Sequence, residues 1–327
     1  MQLRICTNLN KFLNTSCYKF VDLILNLKKT GEAFRSLVIH MQTSKFFKVP
    51  VLNHVYPARR QSIGSISMGS LEVRLARNDF EIEAAQRLRY KVFYEEMGAL
   101  PDRLLAKSEL DADKHDSRAD HLIVFDRHIT GSLYGELSSA VVGTYRLLQS
   151  HHLESQHSFY TAQEFDISKL LNFPGKIMEL GRSCVDSNYR NRATLRLMWQ
   201  GIASYIFCND IDLMFGCASF PSPDPSKFRR SLDYLSTYHT APAAICPRAL
   251  PERYINMNCK NAAPQDKISA IQELPPLIKG YLRIGAQVGD GAVIDHQFNT
   301  TDVCIIVKTD DLPARYSAHY KRKFKNG

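Results

Sequence analysis

One stretch, KIMELGRSCVDSNYRNRATLRLMWQGIASYIFCNDIDLMFGCASF (residues 176–220), constrains the fold more than any other part of the chain. Its first ten residues read as an apolar strand. Leu195, Met198, Trp199, Ile202 and Ile206 then recur at helical spacing, which predicts a helix over about Tyr189–Asn209. IDLMFGCASF returns as a further strand. Upstream, LEVRLA (71–76) alternates apolar and polar residues as a half-buried strand does. Asp79 is placed to cap a helix running to about Gly98, with Ile82, Ala85, Leu88, Val92 and Phe93 at helical spacing. HLIVFD and AVVGTYRLLQ supply two more strands, separated by a Gly/Ser turn region. Strand, helix, three strands, helix, strand is an α/β order around a central mixed sheet.

Composition narrows the function class. A chain of 327 residues, 44% hydrophobic, buries a substantial core and suits one large domain or two fused ones. Its eight cysteines are scattered with no C-x-x-C pair, which argues against a zinc cage or a disulfide framework and fits a reducing cytosol. The net charge of +9 is concentrated at the front: residues 1–70 hold ten of the 42 basic residues and two of the 33 acidic ones. The remainder is near neutral, so no nucleic-acid partner is expected. Within residues 1–70 the apolar run FVDLILNL, interrupted by Asp22, is far short of the roughly 18 residues of a membrane span. No secretory signal is clear either. Two readings stay open for this segment: a basic, disordered extension ahead of a domain at 71–327, dispensable through Met68, or a basic amphipathic anchor resting on anionic lipid. The corresponding localisation is cytoplasmic, with peripheral contact at the inner membrane under the second reading.

Several side chains invite a chemical role. The loop ELDADKHDSRAD carries Asp111, Asp113, Asp116 and Asp120. As an EF-hand it fails, with Asp116 where Gly is needed and Leu122 where Glu is needed, so no metal is assigned. Its carboxylates would pair a buried ammonium of a diamine; a solvated capping loop is the alternative. Cys184 in an apolar strand reads as a small hydrophobe, His151 and His152 as loop residues, and His121 and His296 as structural histidines. Arg229, Arg230 and Arg248 would suit the surface of an acidic partner protein. Residues 259–275, polar and Pro-bearing, read as a loop.

From about 71 to 308 the chain resembles the ornithine acyl-carrier-protein N-acyltransferases of ornithine lipid synthesis. The resemblance is carried by RYKVFYEEMG, DADKHDSRADHLIVFD, VVGTYRLLQ, ELGRSCVDSNYRN, LMWQGIASYIF, LMFGCASFPSPDP and PPLIKGYLRIGAQVGDGAVIDHQFNTTDVCIIV. That family is similar in fold to the N-acetyltransferases and to acyl-homoserine-lactone autoinducer synthases. The resemblance implies an α/β, N-acetyltransferase-like mixed sheet flanked by helices and extended at its C-terminal side. The reaction it implies moves a 3-hydroxyacyl group from the phosphopantetheine thioester of acyl carrier protein to the α-amine of L-ornithine, giving a lyso-ornithine lipid. Acyl carrier protein is then partner and donor substrate, and no separate cofactor is implied. The alternatives are an autoinducer synthase with S-adenosylmethionine as acceptor, or another amino-acid N-acyltransferase.

The same resemblance distributes roles. Glu179 matches the glutamate of the family's E-x-x-R pattern and is the candidate base, the other reading being a partner for a neighbouring arginine. Arg182 would face away from Glu179 on a regular strand, so a bulge, with Gly181 as its natural place, is implied. Arg146 and Arg182 are expected at the site as structural or carboxylate-binding partners of the acid loop, and Asp111, Asp113 and Asp116 as acceptor-binding residues. Where N-acetyltransferases place a glycine-rich pyrophosphate loop, this chain has Arg190, Asn191, Arg192, Ala193 and Thr194. Arg190 and Arg192 are then donor-binding candidates, or merely solvated first-turn residues.

Overall fold

A computed structural model of the protein describes residues 63–129, 140–153, 158–258 and 267–312. The segment 1–62, read above as most of the N-terminal extension, lies outside the described residues, as do residues 259–266 of the expected loop.

Among the described residues, ten strands form the sheet: β1 (Ile66–Met68), β2 (Leu71–Leu75), β3 (Asp120–Asp126), β4 (Val141–Gln149), β5 (Phe165–Asp166), β6 (Ile177–Val185), β7 (Leu213–Phe220), β8 (Arg248–Ala249), β9 (Gln287–Asp295) and β10 (Thr300–Lys308). Their spatial order is β1-β2-β3-β4-β6-β7-β10-β9-β8-β5. β6 and β7 run parallel across the helical crossover, as do β8 and β9, and the other neighbours are antiparallel. The fold is therefore the expected N-acetyltransferase-like mixed sheet flanked by helices, with β10 and β9 extending it beyond β7.

Helix α1 (Asp79–Tyr90) is capped one residue earlier than expected: Asn78, not Asp79, accepts from the Glu81 amide. It continues as a π-helical stretch over Lys91–Glu96. Helix α2 (Arg192–Asn209) is capped by Asn191, whose side chain accepts from the Thr194 amide. Helix α3 spans Arg229–Tyr238, α4 Lys267–Glu273 and α5 Pro276–Arg283. The stretch 259–275, expected as a loop, thus contains α4, tied to α3 by the Ser231 hydroxyl donating to the Ala270 carbonyl at 2.9 Å.

Strand alternation sends side chains to two layers. On one face Met178, Leu180, Met214, Ala218, Val303 and Ile305 pack with Leu197, Met198 and Ile202 of α2. The opposite face holds two separate apolar clusters. Ala84, Ala85, Leu88 and Val92 meet Ile123, Val141 and Cys184, while Phe159, Phe165, Ile177, Phe215 and Ile306 form the other. Polar groups lie between them, and that gap is the candidate site.

The folded part also starts earlier than Leu71. β1 pairs with β2 from Ile66↔Val73 to Met68↔Leu71, and Ile63 is buried in the larger core, its carbonyl accepting from the Ser204 hydroxyl. Residues 63–68 therefore belong to the fold rather than to a dispensable extension. No described helix is long and apolar enough to cross a membrane.

Candidate active site

The parallel ladder between β6 and β7 runs only from Ile177↔Leu213 to Glu179↔Phe215. The two strands make their tightest approach at Gly216, where a Cβ would collide with the Leu180 carbonyl. Beyond this point Leu180–Val185 of β6 and Cys217–Ser219 of β7 line opposite walls of one cavity of about 680 Å³. A volume of this size suits a drug-sized ligand or a substrate arm.

The bulge expected on β6 is present. Against β4, Cys184 pairs with Thr144 and Gly181 with Arg146, one residue more on β6 than on its partner. Arg182, rather than Gly181, takes the left-handed conformation, at φ 51°. For a non-glycine residue that geometry costs about 1–2 kcal/mol. The extra residue returns Arg182 to the face of the sheet that carries Glu179. Its guanidinium stacks over the rings of Tyr160 and Phe298, 4.6 and 4.7 Å from their centroids, and lies 3.0 Å from carboxylate oxygens of both Asp111 and Asp113.

The acid loop is answered by three arginines. Arg89, fully buried on α1, donates to Asp111 Oδ2 at 2.7 Å and to the two carboxylate oxygens of Asp116 at 2.8 and 2.9 Å. Arg146 donates to Asp113 Oδ1 at 2.7 Å and Asp116 Oδ1 at 3.4 Å. Burial acts to raise the Asp116 carboxyl, but Arg89 and Arg146 outweigh it and hold it well below its ordinary value. Arg182, whose burial alone would lower it, is held charged by Asp111, Tyr160 and Asp113. Three guanidinium groups thus meet three carboxylates. An acceptor ammonium at Asp111, Asp113 or Asp116 would have to displace a guanidinium, so their geometry supports a structural role instead of the acceptor-binding one expected. Asp120 is engaged elsewhere, by the Tyr205 hydroxyl at 2.5 Å.

Glu179 sits across the cavity wall from this network and is 3% exposed. Its Oε1 accepts from the Thr161 amide and hydroxyl, both at 2.6 Å, and its Oε2 from the Tyr160 amide at 3.0 Å. Burial raises its pKa and the Thr161 donors pull against that rise, with burial the larger effect. A carboxylate held this way, in a cavity and with a raised pKa, is chemically suited to take a proton. No arginine is hydrogen-bonded to it among the described residues, although the Arg146 charge also favours its ionised form.

The rim at the start of α2 carries Arg190, Asn191, Arg192, Thr194 and Leu195. Arg190 is exposed, pairs with Glu96 and donates to the Val185 carbonyl at 2.9 Å; Arg192 is exposed at the first helical position. Arg229, Arg230 and Arg248 are at the surface as expected, with Arg230 paired to Glu273 at 2.6 Å and Arg248 to Asp290 at 3.3 Å. Burial pushes the Cys184 thiol far up, which leaves it a hydrophobe rather than a nucleophile. His121 is fully buried, lowered to about 4 mainly by that burial, with Nε2 on the Asp116 carbonyl at 3.0 Å; His296 is exposed.

Sequence reasoning missed four groups. Arg89 lies on the apolar stripe of its own helix, seven residues after Ile82 and four after Ala85, and a charge on such a stripe signals a buried ion pair. Asp295 and Asp302 line the cavity, and Glu164 lies beside Asp302.

The profile described as Acetyltransferase (GNAT) domain matches residues 88–200. The L-ornithine N(alpha)-acyltransferase of Brucella abortus (strain 2308) is 43% identical over 255 residues, 77% of this chain and 89% of that protein. The protein of the same name from Agrobacterium fabrum is also 43% identical, over 77% and 86% of the two chains, and that from Rhodobacter capsulatus is 37% identical, over 78% and 96%. Among solved structures, FeeM, an N-acyl amino acid synthase from uncultured soil microbes, is 13% identical, spans 73% of this chain and 91% of its own, and has a TM-score of 0.39. The AHL synthase LasI is 15% identical over 74% and 90%, with a TM-score of 0.37.

Proposed function

The chain belongs to the L-ornithine N(alpha)-acyltransferase family and is an N-acyltransferase, and from that premise we propose that it transfers a 3-hydroxyacyl group from acyl carrier protein to the α-amine of L-ornithine, forming a lyso-ornithine lipid. The observation that carries this reading is the cavity where β6 and β7 part, with the buried Glu179 carboxylate on its wall. A thioester arm entering between the strands would bring its carbonyl beside β6. Holding an amine against that carbonyl removes several kcal/mol of barrier without a covalent relay.

Glu179 is the proposed base. Amines of this kind are largely protonated near neutral pH, so the α-ammonium must first lose a proton. Oε2 takes one donor, the Tyr160 amide, and keeps a lone pair for the amine or an intervening water. The neutral nitrogen then attacks the thioester carbon, the C–S bond breaks as the C–N bond forms, the second proton shed by the nitrogen passes to the departing thiolate, and the first, held by Glu179, is released to water. Arg146 and Arg182 position this wall by fixing the acid loop against β4 and β6. Arg190 and Arg192, with the exposed arginines near α3, are proposed to meet the acidic donor protein, in the absence of glycines for close pyrophosphate wrapping. Peripheral contact with the inner membrane through the basic residues 1–62 accompanies this reading.

The test is a product assay by mass spectrometry with matched acyl groups on carrier protein and on coenzyme A. Ornithine amide product with kcat/KM at least about tenfold higher for the carrier protein supports the proposal. Equal use of both donors refutes the donor assignment, and no ornithine amide from either refutes the reaction.

A further inference from the structure

Resting on the ornithine reading above, we propose that Asp302, with Asp295 beside it and Glu164 behind, receives the terminal ammonium of a diamino-acid acceptor, the amine that is not acylated. The site is an acidic stretch of the cavity wall, joined to the arginine network through Tyr160 and Phe298, whose rings lie under Arg182 and whose hydroxyl and amide donate to Asp295.

Charge balance is the first argument. The three buried arginines are committed to Asp111, Asp113 and Asp116, as described above. Asp295 and Asp302 also line the cavity, and among the described residues neither forms an ion pair with a lysine or arginine. Glu164 has only Arg253, at 3.7 Å. Carboxylates gathered in a buried wall demand a cation or a proton.

A second argument is an orphan atom. Asp302 is 4% exposed, and its Oδ1 has no hydrogen-bond partner among the described residues. Asp295, by contrast, accepts from the Gln297 and Phe298 amides at 2.7 and 3.0 Å and from the Tyr160 hydroxyl at 3.3 Å. It is a fixed wall beside an unfilled acceptor. An ammonium brings three donors, which suits one orphan oxygen with further carboxylate oxygens around it.

Reach is the third. Glu179 Oε1 lies 2.6 Å from Thr161 Oγ1, which lies 3.8 Å from Cys217 Sγ, which is within 4.8 Å of a carboxylate oxygen of Asp302, so base and Asp302 are about 11 Å apart at most. A diamino acid with four carbons between its amines spans roughly 6 Å, and a hydrogen bond of about 2.9 Å at each end closes the distance. With its α-amine at Glu179, the acceptor's other amine is within reach of Asp302.

A metal ion is the competing occupant, since Glu164, Cys217 and Asp302 offer ligand atoms within 4.8 Å of one another. Burial and Glu164 hold the Cys217 thiol well above its ordinary pKa, and a protonated thiol is a poor ligand. Burial, with Asp295 next, raises Asp302 to about 6 despite the Thr300 and Ser219 hydroxyls and the Arg182 charge.

The experiment compares ornithine with 2-aminopentanoate, its analogue without the terminal amine, on one acyl donor. Wild-type enzyme should favour ornithine by about 10- to 100-fold in kcat/KM. Asp302→Asn should bring that ratio toward unity, mainly through a higher KM for ornithine, and Asp295→Asn should move it the same way. Without donor, ornithine should raise the wild-type melting temperature where 2-aminopentanoate does not, a readout independent of whether either variant folds well. An unchanged ratio in a folded Asp302→Asn overturns the inference, as does an equal fall in kcat for both acceptors, or a stoichiometric divalent metal in purified wild-type protein that the variant lacks. Should wild type acylate neither amino acid, the ornithine reading itself has failed; if it acylates ornithine but the ratio ignores Asp302, only this inference has.

Discussion

Replacing Glu164 with Gln should stabilise the protein at alkaline pH and do far less at acid pH. The side chain is 1% exposed, and burial, followed by the Asp302 charge, pushes its pKa from 4.5 to about 8. In the unfolded chain the carboxyl is near its ordinary value, so the native state holds the proton more tightly. The stability associated with that proton is fully present below about pH 4.5 and is lost as the pH rises through about 8. One pKa unit is worth about 1.4 kcal/mol, so the wild-type protein should lose about 4 kcal/mol through this group between roughly pH 5 and pH 9. Gln does not titrate and escapes the loss. At roughly 2 °C per kcal/mol for a domain of this size, the melting-temperature gap between variant and wild type should widen by about 8 °C over that interval. Asp302, raised to about 6, interacts with Glu164, so its own titration shifts in the variant and the gap reports the two carboxyls together. Thermal unfolding followed by circular dichroism at the two pH values measures it. Parallel melting-temperature curves for the two proteins would refute the argument, because they would mean that Glu164 is not a buried, proton-retaining acid.

Glu179→Gln should cut kcat by about 10²–10⁴ and recover part of it between roughly pH 8 and 10, where the acceptor amine deprotonates unaided. A slow variant with a flat pH–rate profile and normal melting would remove the base role. A chain beginning at residue 69 should melt several degrees below one beginning at residue 62, because it lacks buried Ile63 and the β1 pairing, worth about 1.5–3 kcal/mol from the Ile side chain alone. Equal melting of the two would show that β1 is marginal.

Much of the scaffold was legible because its signals are local. Alternation in LEVRLA placed β2, short apolar runs placed β3, β4, β6 and β7, and the 3.6-residue stripe of Leu195 to Ile206 placed α2. Helix starts are legible to within a few residues: the sequence reading puts the α1 cap at Asp79 where Asn78 holds it, and starts α2 at Tyr189 where the helix begins at Arg192 behind Asn191. The bulge could be inferred, but Gly181 was the natural choice for a left-handed residue, and the two carboxylates and two aromatic rings that hold Arg182 there instead come from distant segments. The candidate site divides the same way. Arg146, Glu179 and Arg182 sit on adjacent strands and announce themselves in short motifs. Glu164 and Asp302 meet only because β10 lies beside β7, a neighbour relation that no local pattern encodes.

The placement of β10 also sets a timetable for assembly. It lies later in the chain than both strands it joins, β7 and β9, pairing with β7 over Thr301–Lys308 and with β9 over Thr300–Ile306. While the chain is being made, β7 must wait for a partner some eighty residues downstream, its unpaired N–H and C=O groups forming an open edge near the middle of the future sheet. Pairing across that separation is slow, and exposed edges recruit other chains. About nine-tenths of the protein is therefore synthesised with its sheet still in two pieces, since β10 begins only at Thr300 of 327 residues, and the acidic part of the cavity wall comes into being only when the second piece docks. Enzyme that has emerged up to β9 is sticky and lacks Asp302; a few residues later, the strand that carries Asp302 seals the edge.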